Sequence, residues 1–298
     1  MNSRLRGMLR KVPGLVPTVR WGRRQAARFR RRRPAPPPKI NEGTGVVTPP
    51  FDVKPGTDRI ALAARASEGT WFHTFEFRHD SGAVFVAHGP DPSHEKTQFL
   101  GLPDRFDGLS VLDIGAYDGH YSFEAARRGA TDVLAADHFV WTWPGETARD
   151  NFEYVRDVLD LPVRDQLIRV EEISPEALGG QFDVVFFFGV LYHAPDPLGY
   201  LKRVRSVTRQ YALIETVVDM LDIPRPALGY YPGAYLNSDA SNHFGPNMPA
   251  LEGLLRDAGF SRMDDLGLWR QHEIELTGGI STPAGPARSG RAVVRAWV

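Results

Sequence analysis

The residues with the clearest chemical use lie between Val111 and Ala130, in the run VLDIGAYDGHYSFEAARRGA. VLDIG has strand character, GAYDG is a turn, and HYSFEAARRG places Tyr121, Ala125 and Arg128 near one helical face before ending at Gly129. A strand that enters a glycine turn and then a helix brings backbone close to a ligand, where a side chain at Gly115 or Gly119 would intrude. A dinucleotide site would read G-x-G-x-x-G and rest a pyrophosphate on the helix N-terminus. This turn instead carries Asp118, and its strand ends in Asp113. Two carboxylates repel pyrophosphate and suit a ligand with sulfonium and ammonium groups, so the charges favour S-adenosylmethionine (SAM) over a dinucleotide.

Further along, the next apolar run ends in Asp137, about twenty residues on, where a carboxylate either accepts both ribose hydroxyls or caps the following helix. Glu171 and Glu172 follow a third run and meet the adenine edge or stand solvated in a loop. For an acceptor that must lose a proton, histidine is the usual base near neutral pH. His193 directly follows the fourth run, and His243 lies in the polar loop SDASNHFGPN, able to close over the site or to be plain surface. His193 and Asp196 alone do not make a magnesium signature, and Asp196 before Pro197 is well placed as a helix N-cap, so no metal is expected. Trp71, Trp141, Trp143, Tyr230 and Tyr231 either pack against a sugar or base or serve as core and wall.

These residues need a scaffold, and from Ser110 the chain supplies one. SVLDIGA, DVLAADH, LIRVEE, FDVVFFFG and YALIETVV alternate with helical stretches, which predicts an α/β fold with a doubly wound, mostly parallel Rossmann-like sheet over residues 110–298. PLGYLKRVRSV opens with Pro197 in a first turn, PALEGLLRDAGF is an amphipathic helix stopped by Gly259, and RAVVRAWV is a final strand. Upstream, residues 57–109 read as an accessory region: a short helix in DRIALAARASEG, a hairpin from WFHTFEF and AVFVAH around RHDSG, and a short helix near His94 to Leu100. Residues 1–56 read as a basic, Pro-rich flexible tail and linker.

D-I-G-x-x-D-G, then Asp137, then FDVVFFFGVLYH, resembles the class I SAM-dependent methyltransferase series in its usual order, over about Ser110 to Val218. G-V-L-Y-H before a P-L helix, N-H-F-G-P-N and L-x-x-L-L-x-x-A-G-F resemble the family that includes the tRNA wobble-uridine carboxymethyl- and methoxy-forming transferases, extending the similarity to about Phe260. The resemblance implies that Asp113, Gly115, Asp118 and Gly119 contact the methionine part of SAM, Asp137 the ribose and Glu172 the adenine side. It sets Gly189 beneath the donor and Tyr192 near the transferred group. The family's W-R-K-G-P-F segment, whose Lys helps hold a donor carboxylate, has no counterpart; WFHTFEF is the nearest stretch. Ordinary SAM is therefore the expected donor.

Charge bears on the acceptor. The formal net charge is zero, but thirteen of the 36 Lys and Arg precede Glu42, so 23 bases face all 36 acids beyond it, a net of −13. A body gripping polyphosphate usually presents its bases on the folded surface. The favoured acceptor is a hydroxyl of a sugar, glycan precursor or other secondary metabolite, with tRNA the alternative and a non-catalytic SAM-binding module the third reading. The tail lacks a run of secretory or transmembrane length, with Pro13 and Pro17 interrupting any long helix. It is expected to be a solvated extension or a weak contact with anionic lipid or RNA. The absence of cysteine excludes disulfides and thiolate chemistry and allows a reducing compartment, so a cytoplasmic location, including the inner membrane face, is expected.

Overall fold

The computed structural model describes residues 37–45, 48–271 and 288–298. The basic tail expected before Pro36 lies outside them. Strand β1 (Phe51–Asp52), helix α1 (Arg59–Glu68) and the hairpin β2 (Phe75–Arg78) and β3 (Val84–Ala87) build the accessory region. Asp58 caps α1 by accepting the N–H groups of Ile60 and Ala61, and β1 pairs parallel with β2 through Phe51 and Phe77. A one-turn helix, Ser93–Lys96, follows.

The main domain then runs through β4 (Ser110–Ile114), α2 (His120–Arg127), β5 (Asp132–Asp137), α3 (Ala148–Leu159), β6 (Val163–Leu167), β7 (Phe182–Phe188), α4 (Pro197–Val207) and β8 (Thr208–Val218). A two-stranded ribbon, β9 (Leu228–Tyr230) with β10 (Phe244–Pro246), precedes α5 (Met248–Ala258), β11 (Arg262–Gln271) and β12 (Gly290–Trp297). Seven strands form one sheet in the order β11-β12-β8-β7-β4-β5-β6, parallel from β8 to β6, with β12 antiparallel to both β8 and β11. The doubly wound, mostly parallel sheet is thus present.

Its core follows from strand composition. All seven residues of FDVVFFF in β7 are buried, as a central parallel strand covered on both faces requires. Val184, Phe186 and Phe188 pack on the side of α2 and α3, and Val185 and Phe187 on the side of α4 and α5. The helices end where caps dictate: Asp196 accepts Gly199 N–H at the start of α4, and Gly259 closes α5 at φ +103°.

Two expectations are corrected. The third strand is VRDQL, not LIRVEE, because β6 is an edge strand that tolerates polar positions, while Val170–Glu172 form a 3-10 turn. The linker expected through residue 56 is tied to the body over its described part. Asn41 N–H donates to Leu268 O and Leu268 N–H to Lys39 O, both at 2.8 Å, and β1 joins the accessory sheet. The final strand forms as expected and inserts between β8 and β11, the latter a strand that the sequence pattern did not signal. The described residues fall into one unit, so the accessory region belongs to the same body as the sheet.

Candidate active site

The strand order reverses between β4 and β7, and side by side their C-terminal ends open the crevice where doubly wound sheets bind ligands. A cavity of about 790 Å³ lies there, lined at one end by Asp113, Gly115, Asp137 and Val140, and at the other by Gly189, Tyr192, His193, His243 and Arg291. That volume suits a nucleoside-sized ligand.

At the donor end two carboxylates leave the sheet next to each other. Asp113 accepts Ser122 Oγ–H at 2.7 Å, and burial pushes its carboxyl up to about 6. Asp137 accepts the N–H of Tyr117 at 3.0 Å, and burial raises it too, against the N–H groups of Tyr117, His138 and Val140. Buried acids with raised pKa values are relieved by a cation or by hydroxyl donors, which is what the ammonium and ribose of SAM bring. Gly115 has φ +80°, and a Cβ there would stand 2.4 Å from Val190 Cγ2. The residues present fit SAM.

Other sequence candidates sit elsewhere. Asp118 is fully buried and does not line the cavity; its carboxylate takes the backbone N–H groups of Phe72 and His73 at 3.0 and 3.1 Å and the His73 ring. Gly119 also lies off the cavity, and a Cβ there would meet Phe152 and Phe123 at 2.5 and 2.8 Å. The direct contacts expected of these two give way to a clamp and a close-packed turn. Because the third strand ends earlier than expected, Glu172 falls on the exposed side of the 3-10 turn, paired with Arg169 at 2.8 Å. Glu171 lines the cavity in its place and accepts Tyr200 O–H at 2.6 Å.

At the far end Gly189 closes β7 at φ +71°, with Tyr192 beside it. The Arg291 guanidinium reaches Tyr192 Oη at 3.4 and 3.5 Å and lies 5.0 Å from the ring centre. His193 Nδ1 meets Ser241 O at 3.1 Å and Ser241 Oγ at 3.0 Å, and Ser241 Oγ–H donates to Asp239 at 2.7 Å. A carbonyl can only accept, so Nδ1 carries the proton and Nε2 a lone pair. Burial lowers the His193 pKa, so the ring is neutral at pH 7. His243 joins through backbone: its N–H donates to Tyr192 O and its carbonyl accepts Tyr231 N–H, both at 2.8 Å. Of the five aromatics singled out by sequence, only Trp143 lines the cavity, and Trp141 instead anchors the donor turn through Nε1–H to Tyr117 O at 2.6 Å.

Sequence reasoning missed the buried charges beside the far end. Glu215 pairs with Arg291, accepts Trp269 Nε1–H at 2.9 Å and stands 3.8 Å from Lys96, which itself bonds Asp91 at 2.9 Å. One signal was available: a lone glutamate inside the apolar run YALIETVV needs a buried partner. Among the described residues no group of three or more His, Asp or Glu is placed to hold a metal ion, and Asp196 serves α4 as its cap.

A family model described as a methyltransferase domain matches residues 85–263. The chain is 29% identical over 168 residues to a tRNA U34 carboxymethyltransferase of Wolinella succinogenes, covering 55% of this chain and 57% of that one. It is 32% identical over 170 residues to the protein of that name from Mannheimia succiniciproducens, covering 54% and 47%. It therefore spans about half the length of the curated relatives it matches. Among solved structures, the N-terminal domain of EvdMO1, in the presence of SAH and D-fucose, is similar in fold at a TM-score of 0.57 and 20% identity, over 81% of this chain and 97% of that one.

Proposed function

The chain belongs to the methyltransferase-domain family and takes SAM as its donor, and from that premise we propose that it methylates a hydroxyl of a sugar, glycan precursor or other secondary metabolite. The observation that carries this reading is the His193 ring, neutral and fixed in one tautomer by Ser241, with its basic nitrogen left for the cavity it lines. A hydroxyl acceptor has a proton to lose, and a neutral imidazole accepts it at Nε2. The new charge on the ring is then shared with Ser241 O and, through Ser241 Oγ, with Asp239.

The bound donor supplies an activated methyl group at a sulfonium, so positioning is the main work left to the protein. We assign the donor's ammonium side to Asp113, its ribose to Asp137 and its adenine side to Glu171, with Gly115 and Gly189 giving it room. Tyr192, held by Arg291, and the His243 loop flank the acceptor. Residues 57–109 act as the wall that closes the acceptor end, through Pro90, Asp91 and Lys96.

The relatives' names support a second reading, a tRNA wobble-uridine modifier. Against it stand the net charge of −13 beyond residue 41 and the pairing of two of the cavity's cations with carboxylates, Lys96 with Asp91 and Arg291 with Glu215. Polyphosphate would then be gripped by the thirteen bases before Glu42, which equally suit an anionic membrane presenting a lipid-linked acceptor at the inner face. Among the described residues no helix is long and apolar enough to cross a membrane.

Methyl transfer from labelled SAM into fractionated extract, with the full chain as catalyst, tests the proposal. Label is expected in sugar or small-metabolite fractions, and D-fucose is a first pure acceptor to try. Label in total tRNA overturns it in favour of the second reading. Label in no fraction, with SAM binding intact by calorimetry, leaves a non-catalytic SAM-binding module.

A further inference from the structure

SAM is a zwitterion, and the acids of the donor end answer only its positive groups and its ribose. Its amino-acid carboxylate still needs a cation or N–H donors in a buried place. Most cations lining the cavity are already engaged: Lys96 with Asp91 at 2.9 Å, Arg169 with Glu172 at 2.8 Å, and Arg291 with Glu215. His193 is turned to Ser241. His73 is placed differently. It lies at the start of the accessory hairpin, 4% exposed, and lines the cavity.

We propose that His73, clamped by Asp118, is the residue that binds the donor's amino-acid carboxylate. The clamp has three bonds, because Asp118 accepts the His73 ring at Nδ1, the His73 N–H at 3.1 Å and the Phe72 N–H at 3.0 Å. Phe72 stacks on Tyr117 of the donor turn at 4.1 Å, so the ring is fixed relative to the turn itself. With Nδ1 on Asp118, the other ring nitrogen has no hydrogen-bond partner among the described residues and is left for the cavity. His73 lines the same cavity as Asp113 and Gly115, and its clamp Asp118 belongs to the donor turn, which places the ring at the amino-acid end of the donor.

The surrounding groups favour the imidazolium. Burial works against it, but Asp118 and Asp91 outweigh burial and the opposing Lys96, so the His73 pKa is raised. From α2, His120 and Tyr121 present rings at 5.9 and 5.2 Å. Burial drives His120 well below its ordinary value, so it brings no competing positive charge at neutral pH. Asp118 thus enters donor binding as a positioning residue that keeps a buried cation charged and aimed.

Calorimetry with S-adenosylhomocysteine and with its analogue lacking the α-carboxylate tests this without any acceptor. Wild type should prefer the carboxylated ligand by about 10- to 100-fold, the worth of a charged hydrogen bond. His73→Asn, which keeps a donor for Asp118 but removes Nε2, should erase that preference and leave the analogue's affinity as it was. Equal weakening of both ligands would make His73 merely structural, and no weakening would put the carboxylate elsewhere; either overturns the proposal. Should His73→Asn not fold, wild type decides alone. Its preference must shrink as pH rises through the raised His73 pKa, and a preference that persists once the ring has lost its proton, read by NMR of the histidine, overturns the assignment just as well.

Discussion

Glu215 on β8 and Arg291 on β12, 76 residues apart in sequence, form a buried ion pair at the acceptor end of the cavity, with Glu215 Oε2 and Arg291 Nη2 2.8 Å apart. The pair joins the last parallel strand to the antiparallel strand inserted beside it, and its guanidinium also reaches Tyr192. One interaction therefore ties sheet closure to the acceptor wall.

Removing one partner of such a pair leaves an uncompensated buried charge. Arg291→Ala is expected to cost about 3–5 kcal/mol in urea denaturation, whereas Glu215→Gln together with Arg291→Met should cost much less. The pH dependence has a definite sign. Arg291 and Lys96 hold the Glu215 carboxyl down to about 2 against burial, below its value of about 4.3 in an unfolded chain. The stability it brings is complete above about pH 4.3 and is lost as pH falls toward 2. Glu215→Gln should flatten that acid limb; an unchanged limb would show that other carboxylates set it.

The His193 base predicts a rate that is level above neutrality and falls on the acid side, with a midpoint below 6.5, because burial lowers its pKa. His193→Ala should reduce kcat by about 10²- to 10⁴-fold while leaving donor affinity intact. Asp239 raises the His193 pKa, so Asp239→Asn should move the midpoint further to acid. A kcat that survives His193→Ala would remove the general base and, with it, the argument for a hydroxyl acceptor.

Glu171 and Glu172 separate on the same logic. Glu172→Ala should leave SAM affinity within about 2-fold, since this side chain pairs with Arg169 in solvent and such pairs are worth at most about 1 kcal/mol. Glu171→Ala should weaken binding several-fold, as it lines the cavity and holds Tyr200. Isothermal titration of the two variants decides between them, and the reverse order would return the adenine side to Glu172.

What was legible in the sequence was local. VLDIG-AYDG, the Asp137 strand end and the Asp196 and Gly259 caps each need only a few neighbouring residues, and each stands where the pattern put it. Asp118 shows the limit: its chemical type suited a cationic ligand, but its partner lies 45 residues upstream in the accessory hairpin, which spacing within the turn does not reveal. The Glu215–Arg291 pair is non-local in the same way. β6 was misplaced for another reason, since an edge strand needs no continuous apolar run, while Ile168 and Val170 of the following turn supply the apolar signal that imitates one.

The two glycines of the donor turn make a final contrast, because both have left-handed backbone but face different neighbours. Alanine at either pays for a φ of +80° at Gly115 or +86° at Gly119, about 1 kcal/mol. At Gly119 the new methyl also meets the Phe152 and Phe123 rings, both fully buried and stacked at 5.2 Å, which have nowhere to go. Overpacking adds about 1–3 kcal/mol, so Gly119→Ala should lower stability by about 2–4 kcal/mol with donor affinity of the folded protein kept. At Gly115 the methyl meets only Val190, a partly buried side chain at the cavity wall with open space on its cavity side into which it can turn. Gly115→Ala should therefore cost less stability and more affinity, as the displaced valine enters the space where the donor lies. Denaturation and calorimetry on both variants check the crossing, and equal losses of affinity would put Gly119 back in the donor site.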